Sequence, residues 1–201
     1  MTNVARLIRP RDRADVDPRV SRSRDAVLEA TAAIMLEEGW EAVTPVRVAE
    51  RSGVGRTTIY RHWPDRSALL HDTLLRIGVR DEHRLTGDLR EDLVTLVDAT
   101  RQALASDQTR RLLAVAIERA VCAPVPDFAA LLQEMIRRHT EIMRAVLTEA
   151  ARTGALRADL DVEEAIVTLE APLVYRAMAA GMRNTRALVE RAVDDFLEFN
   201  R

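Results

Sequence analysis

The stretch Thr44-Pro45-Val46-Arg47-Val48-Ala49-Glu50-Arg51-Ser52-Gly53-Val54-Gly55-Arg56-Thr57-Thr58-Ile59-Tyr60-Arg61-His62-Trp63-Pro64 decides how this chain folds. Thr44 before Pro45 is a helix start, with a hydroxyl at the N-cap and a proline at the first helical position. Ser52-Gly53-Val54-Gly55 stops that helix early. Thr57 to Trp63 reads as a second short helix, closed by Pro64. Its Ile59 and Trp63 stand at i and i+4 and face inward. Val48, Ala49 and Val54 join them in a small core. Gly53 supplies the turn conformation rather than a contact.

Upstream, Ser21 or Ser23 is placed to cap a longer helix that runs to about Glu38. Its apolar positions Val27, Ala30, Ile34 and Met35 fit a 3.6-residue period, and Gly39 is its stop. One longer helix followed by two short ones across a glycine-bearing turn is a helix-turn-helix layout. Residues 1–20 alternate Arg and Asp around Pro10 and Pro18 without periodicity, as a flexible arm would.

Downstream, Asp65 caps a fourth helix that begins Arg66-Ser67-Ala68-Leu69-Leu70 and continues past Leu74 and Ile77. Long helices follow over Asp88–Ala105 and Gln108–Val121. Ala123-Pro124-Val125-Pro126 interrupts them. Asp127 then caps a helix to Arg152, ended by Thr153-Gly154. Asp161 caps another through Ala180, kinked at Pro172. Thr185–Phe199 is the last. The reading is an all-α chain of about nine helices. It divides into the arm (1–20), a helix-turn-helix head (21–66) and a helical second domain (67–201).

The 201 residues are 47% apolar, 31% charged and 3% aromatic, with a net charge of −2. That composition suits a folded globular chain rather than a disordered one. The charge is uneven: residues 1–66 carry twelve arginines against ten acidic residues, and Thr44 to Arg66 carries five arginines against Glu50 and Asp65. A local basic excess beside a helix-turn-helix points to nucleic acid. One cysteine excludes an intrachain disulfide and any cysteine-based zinc cluster. No apolar run approaches the roughly 20 residues of a membrane span. Arg6, Arg9, Arg11 and Arg13 leave no apolar core for a secretory signal, so a cytoplasmic place is expected.

Residues 24–75 resemble the DNA-binding region of the tetracycline-repressor (TetR) family of bacterial regulators. The matching residues are Val27-Leu28-Glu29-Ala30, Gly39-Trp40, Thr44, Val48-Ala49-Glu50, Gly53-Val54-Gly55, Thr57 to Pro64 and Ala68-Leu69-Leu70. Trp63 stands where the family more often has Phe, and Arg66 where it often has Lys. Less specifically, Ala151 to Asp161 and Leu169 to Arg176 look like one common C-terminal type of that family. The resemblance implies an all-helical ligand-binding and dimerisation domain after the head.

A helix in the major groove reads bases with its N-terminal residues, here Arg56, Thr57 and Thr58. Arg56 can pair with guanine and a threonine methyl can touch thymine. Tyr60, Arg61 and His62 lie where phosphates become reachable. Thr44 and Arg47 open the preceding helix, and Arg66 opens the following one; all three are phosphate candidates. Arg61 and Arg66 also read as ordinary surface charges.

Candidates for a ligand pocket are Thr100, Glu118, Cys122, Met135, His139, Met143 and Arg176. Met135 and Met143 read equally as core, His139 as surface, and Arg176 as part of a structural ion pair. Candidates for a dimer interface, as a four-helix bundle of the last two helices and their symmetry mates, are Leu169, Leu173, Ala177, Leu188, Ala192, Phe196 and Phe199. Their competing reading is intrachain core.

No nucleophile elbow, phosphate loop or metal-spaced histidine pair is present, so no enzyme, metal or cofactor is expected. The expected function is a homodimeric repressor on double-stranded, pseudo-palindromic operator DNA, released by a small ligand. An activator without a small-molecule ligand, or a helical protein-interaction domain, is the alternative.

Overall fold

The Thr44 Oγ1 accepts the Arg47 N–H at 3.1 Å, which satisfies one of the unpaired donors at the start of a helix. That helix, α2, spans Pro45–Ser52 and ends on Gly53, whose φ of 71° lies in the left-handed region glycine adopts without strain. In this computed structural model the described residues are 18–78, 85–122 and 126–201. The expected arm therefore lies outside them, apart from 18–20, which already belong to a helix.

That first helix, α1, spans Pro18–Glu37. It begins before Ser21 and Ser23, so neither is its cap. Proline at an N-terminal helical position is a start signal as strong as serine, and here it comes first in the chain. Gly39, with φ 90°, turns the backbone into a single 3-10 turn over Trp40–Ala42. The short helix α3 spans Arg56–His62. The next, α4, spans Arg66–Gly78, and the Asp65 carboxylate accepts the Ala68 N–H at 2.8 Å.

Five longer helices complete the described structure: α5 (Leu89–Ala105), α6 (Asp107–Val121), α7 (Pro126–Arg152), α8 (Val162–Met178) and α9 (Arg186–Asn200). Asp88, Asp161 and Thr185 cap α5, α8 and α9 through their side chains. Pro126 opens α7, so Asp127 lies within its first turn instead of capping it. Pro172 lies inside α8 without ending it. No β-strand occurs among the described residues.

The described residues form two compact units. One is built from the described parts of 11–79 and 111–135, the other from those of 80–110 and 136–201. The helix-turn-helix thus shares its unit with α4 and with parts of α6 and α7. Its core gathers Val27, Ile34, Val43, Val48, Ile59 and Leu69, all fully buried, with Trp63, Leu112, Ala116, Leu131 and Met135 around them. The second unit buries Leu93 and Val97 of α5, Leu147 of α7, Leu169 and Leu173 of α8, and Val189 and Val193 of α9. Leu93 and Val97, Leu169 and Leu173, and Val189 and Val193 each stand at i and i+4, the spacing that lines one helix face with apolar side chains.

Candidate nucleic-acid interface

The helix α3 is short and strongly two-sided. Ile59 is fully buried and Trp63, just beyond the helix, is 4% exposed. Arg56, Thr57, Tyr60, Arg61 and His62 are exposed, and Thr58 is half-buried. The buried pair fixes the helix so that its N-terminal turn and one polar face meet solvent.

Trp63 is held by more than packing. Its indole N–H donates to Asp72 Oδ2 at 3.0 Å, and Arg24 donates to the same oxygen at 2.7 Å. The Arg24 guanidinium also lies 5.9 Å from the Trp63 ring. A phenylalanine here would have no N–H to offer. The tryptophan that departs from the usual family residue thus ties the end of α3 to α4.

The arginines differ in how free they are. Arg56 has a side chain 60% exposed, and among the described residues its partner is Glu50 at 3.4 Å. Arg61 is exposed, with its guanidinium 3.4 Å from the His62 ring. Arg47, by contrast, grips Glu38 with two bonds, 3.0 Å from Nε and 2.8 Å from the terminal nitrogen. Glu50 stands 3.6 Å away on its other side. The bond to Arg47 holds the Glu38 carboxyl below its ordinary range, and the Arg47 guanidinium is correspondingly harder to deprotonate. Arg47 is therefore neutralised within the protein. Thr44 keeps its hydroxyl hydrogen free to donate, since its cap bond uses only an oxygen lone pair. Arg66 lies over the Trp40 ring, 4.4 Å from its centroid, and its guanidinium reaches the Glu41 carbonyl at 3.4 Å.

The expected pocket residues are divided between the two units. Thr100 and His139 come together: Thr100 Oγ1 is 2.7 Å from His139 Nε2 and donates to Glu170 Oε1 at 2.9 Å. Glu170, 3.3 Å from the His139 ring, completes a largely buried polar group on α5, α7 and α8. Nothing in the sequence pairs these three, because they are 39 and 70 positions apart from Thr100. Met143 is core in the same unit. Met135 is core in the other unit, where Glu118 and Cys122 are exposed. Arg176 clasps the Asn184 side chain and the Arg183 carbonyl at the end of α8.

The expected interface residues divide as well. Leu169 and Leu173 are fully buried and Phe196 is 5% exposed within the single chain, so these three are intrachain core. Ala177, Leu188 and Ala192 are half-buried, and Phe199 is 81% exposed. Sequence periodicity cannot separate the two faces of a helix that is apolar on both. Val167 and Tyr175, which the reading passed over, are 55% and 67% exposed on α8. Among the described residues no helix is long and apolar enough to cross a membrane, and no cluster of His, Cys, Asp and Glu could hold a metal.

The family model described as bacterial regulatory proteins, tetR family, matches residues 27–73. A second, tetracyclin repressor-like, C-terminal domain, matches residues 84–196. The HTH-type transcriptional regulator YdeS of Bacillus subtilis is 30% identical over 173 residues, 82% of each chain. The HTH-type transcriptional repressor KstR2 of Rhodococcus jostii is 27% identical over 151 residues, 71% of this chain and 72% of that one. The crystal structure of a TetR transcriptional regulator from Agrobacterium tumefaciens superposes with a TM-score of 0.63 at 25% identity, over 89% of this chain and 94% of that one. The exposed polar face of α3, the helix-turn-helix that carries it and these matches along both parts of the chain agree: the protein belongs to the TetR family of helix-turn-helix transcriptional regulators.

Proposed function

We propose that this protein is a homodimeric repressor, whose two heads enter successive major grooves of a pseudo-palindromic operator. The observation that carries this reading is the exposed N-terminal turn of α3. Arg56, Thr57 and Thr58 open a helix whose opposite side is locked by Ile59 and Trp63. Arg56 pairs with a guanine edge and the threonine methyls with thymine. Thr44, Tyr60, Arg61, His62 and Arg66 meet backbone phosphates, which set register and supply the salt-dependent part of affinity.

A second copy covers the exposed side of α8 and α9, where Val167, Tyr175 and Phe199 leave large apolar side chains in water. Ala177, Leu188 and Ala192 add to it, while Leu169, Leu173 and Phe196 support it from beneath.

A small ligand releases the operator by binding the second unit, and Thr100, His139 and Glu170 are the polar groups that orient it. A ligand that prefers the state with the wrong head spacing shifts the population away from DNA. Linkage then requires DNA to weaken ligand binding by the same factor. Repression rather than activation is supported by the repressor among the relatives. The protein acts by binding and carries out no chemistry, in the cytoplasm where the DNA is.

The test is to incubate the purified protein with fragmented genomic DNA at about 0.15 M salt and sequence what it retains. A short two-fold symmetric sequence is expected. Arg56→Ala is expected to weaken binding to that sequence by about 10- to 100-fold, the worth of one bidentate base contact, with the dimer intact. Retention of fragments with no shared sequence, or normal binding by Arg56→Ala, would overturn the placement of the reading helix.

A further inference from the structure

Two guanidinium groups share one indole in the helix-turn-helix unit. Arg66, the first residue of α4, lies 4.4 Å from the Trp40 centroid, and Arg119 of α6 lies 5.1 Å from it. The two cations are thus within about 10 Å of each other, a distance that salt at ~0.1 M only partly screens. Their compensation is unequal. Arg119 has the Glu118 carboxylate 2.9 Å from its Nε, an ion pair by distance without hydrogen-bond geometry. Arg66 has the neutral Glu41 carbonyl at 3.4 Å. Arg66 is therefore the charge that an incoming anion draws out, and Arg119 is the one that stays.

Arg119 is also held in place. Leu112 and Ala116, on its own helix, are 3% and 1% exposed in the core of this unit. About two turns before Arg119, Arg111 donates to the Leu36 carbonyl at 3.3 Å, at the end of α1. The α6 helix is thus anchored in this unit through Leu112 and Ala116, whose face Arg119 shares at the helical repeat. Trp40 sits in the turn that directly precedes α2, the turn that Arg66 also touches through Glu41.

We propose that Arg119 is a positioning residue for DNA binding: through the shared Trp40 indole it holds Arg66 where a backbone phosphate can take it. The proposal rests on the reading above that Arg66 meets a phosphate. Arg119 shares the π surface and sets a second cation within about 10 Å, so Arg66, stacked on the ring with only the Glu41 carbonyl to bond, is loosened toward an arriving phosphate. Residues 107–110 of α6 belong to the second unit and 111–121 to this one, so the residue that tunes Arg66 stands on a helix shared by both.

A double-mutant cycle on DNA binding tests this. Labelled duplexes carrying the recovered operator and a mixed sequence are titrated with the parent, Arg66→Met, Arg119→Met and the double variant, at several salt concentrations. Methionine keeps an apolar stem over the indole, and melting curves confirm folding. Arg66→Met is expected to reduce the salt slope by about two on the operator, one phosphate contact in each head, and to lower it on the mixed sequence as well. Arg119→Met is expected to weaken binding about five-fold and to lower the slope, and the double variant to bind no more weakly than Arg66→Met alone. Trp40→Leu, which removes the platform, should reproduce Arg119→Met. Arg119→Lys, which keeps the charge but not the stacking plane, should recover part of the loss and keeps the test open if Arg119→Met misfolds.

Parent-like affinity in Arg119→Met overturns the proposal. So do additive losses in the double variant, which would make Arg119 an independent contact. An unchanged salt slope in Arg66→Met, with the parent still binding, overturns the proposal and leaves the DNA reading standing. A folded parent that binds neither duplex overturns both.

Discussion

Arg47 shows how a residue can be chosen correctly by type and still be engaged elsewhere. Its place at the start of α2 suits a phosphate contact, yet Glu38 accepts both of its forked bonds. Glu38 is nine positions earlier and on the far side of a turn, so no helical spacing relates the two. Removing the Glu38 charge should release Arg47 to the DNA. Glu38→Gln is expected to raise non-specific affinity and to steepen the salt slope by about one phosphate contact per bound head, measured by titrating a mixed-sequence duplex across salt. Unchanged slope and affinity would mean that Arg47 points away from the backbone. Trp63 gives a second case. Its inward direction follows from its i+4 relation to Ile59, but the partner of its N–H, Asp72, lies in the next helix. Trp63→Phe keeps the ring and loses that bond. A loss of about 1 kcal/mol in denaturant unfolding is expected, with operator binding intact in the folded fraction.

Among the elements, helix starts marked by a local side-chain bond are legible. Thr44, Asp65, Asp88, Asp161 and Thr185 all receive a nearby backbone N–H, as a residue of that type before a periodic run implies. The starts at Pro18 and Pro126, unlike that at Pro45 behind its Thr44 cap, are displaced, because proline itself forms no side-chain bond and a serine or aspartate follows within a few positions. Pairings between helices leave no such trace: Arg90 of α5 and Asp194 of α9 are joined by two bonds across 104 positions. Asp98 is the deepest of these links. It is 3% exposed and receives Arg101 and Gln102 from its own helix, with Arg186 of α9 3.9 Å away. The Arg101 bond, ahead of those of Gln102 and the nearby Arg186 charge, holds its carboxyl below the ordinary aspartate range. Its folded pKa is thus lower than its unfolded one. The stability it contributes is complete above the unfolded value of about 3.9 and is lost as pH falls through the folded value. Asp98→Asn should therefore lower the melting temperature at pH 7. The gap from the parent should close below about pH 4, which thermal unfolding across pH would show. A gap that stays constant to pH 2 would place the effect in packing rather than charge.

For the whole molecule, the order of the helices is carried by local starts and stops along the chain, and the assignment of DNA binding to the head by short-range features of Thr44 to Pro64. The division of α8 and α9 between core and partner surface is not. Leu169 and Leu173 share a helix with Val167 and Tyr175, all four are apolar or aromatic, and only packing tells which pair is spent inside the chain. A charge at an inward position would unfold the unit, whereas one at an outward position should act on assembly alone. Val167→Glu is thus expected to leave the helix content and the melting of the monomer near those of the parent, while light scattering reports a monomer. The consequence for DNA follows from multivalency. In a dimer the second head binds at an effective concentration set by the first, and losing that linkage costs about 10²- to 10⁴-fold in operator affinity. Each head still makes its own phosphate contacts, so the salt slope should fall to about half its dimer value rather than vanish. Leu173→Glu, tested beside it, should instead expose the core and lose the fold. If Val167→Glu remains a dimer with full operator affinity, the second copy does not cover this face, and the apolar side chains at Tyr175 and Phe199 need another occupant.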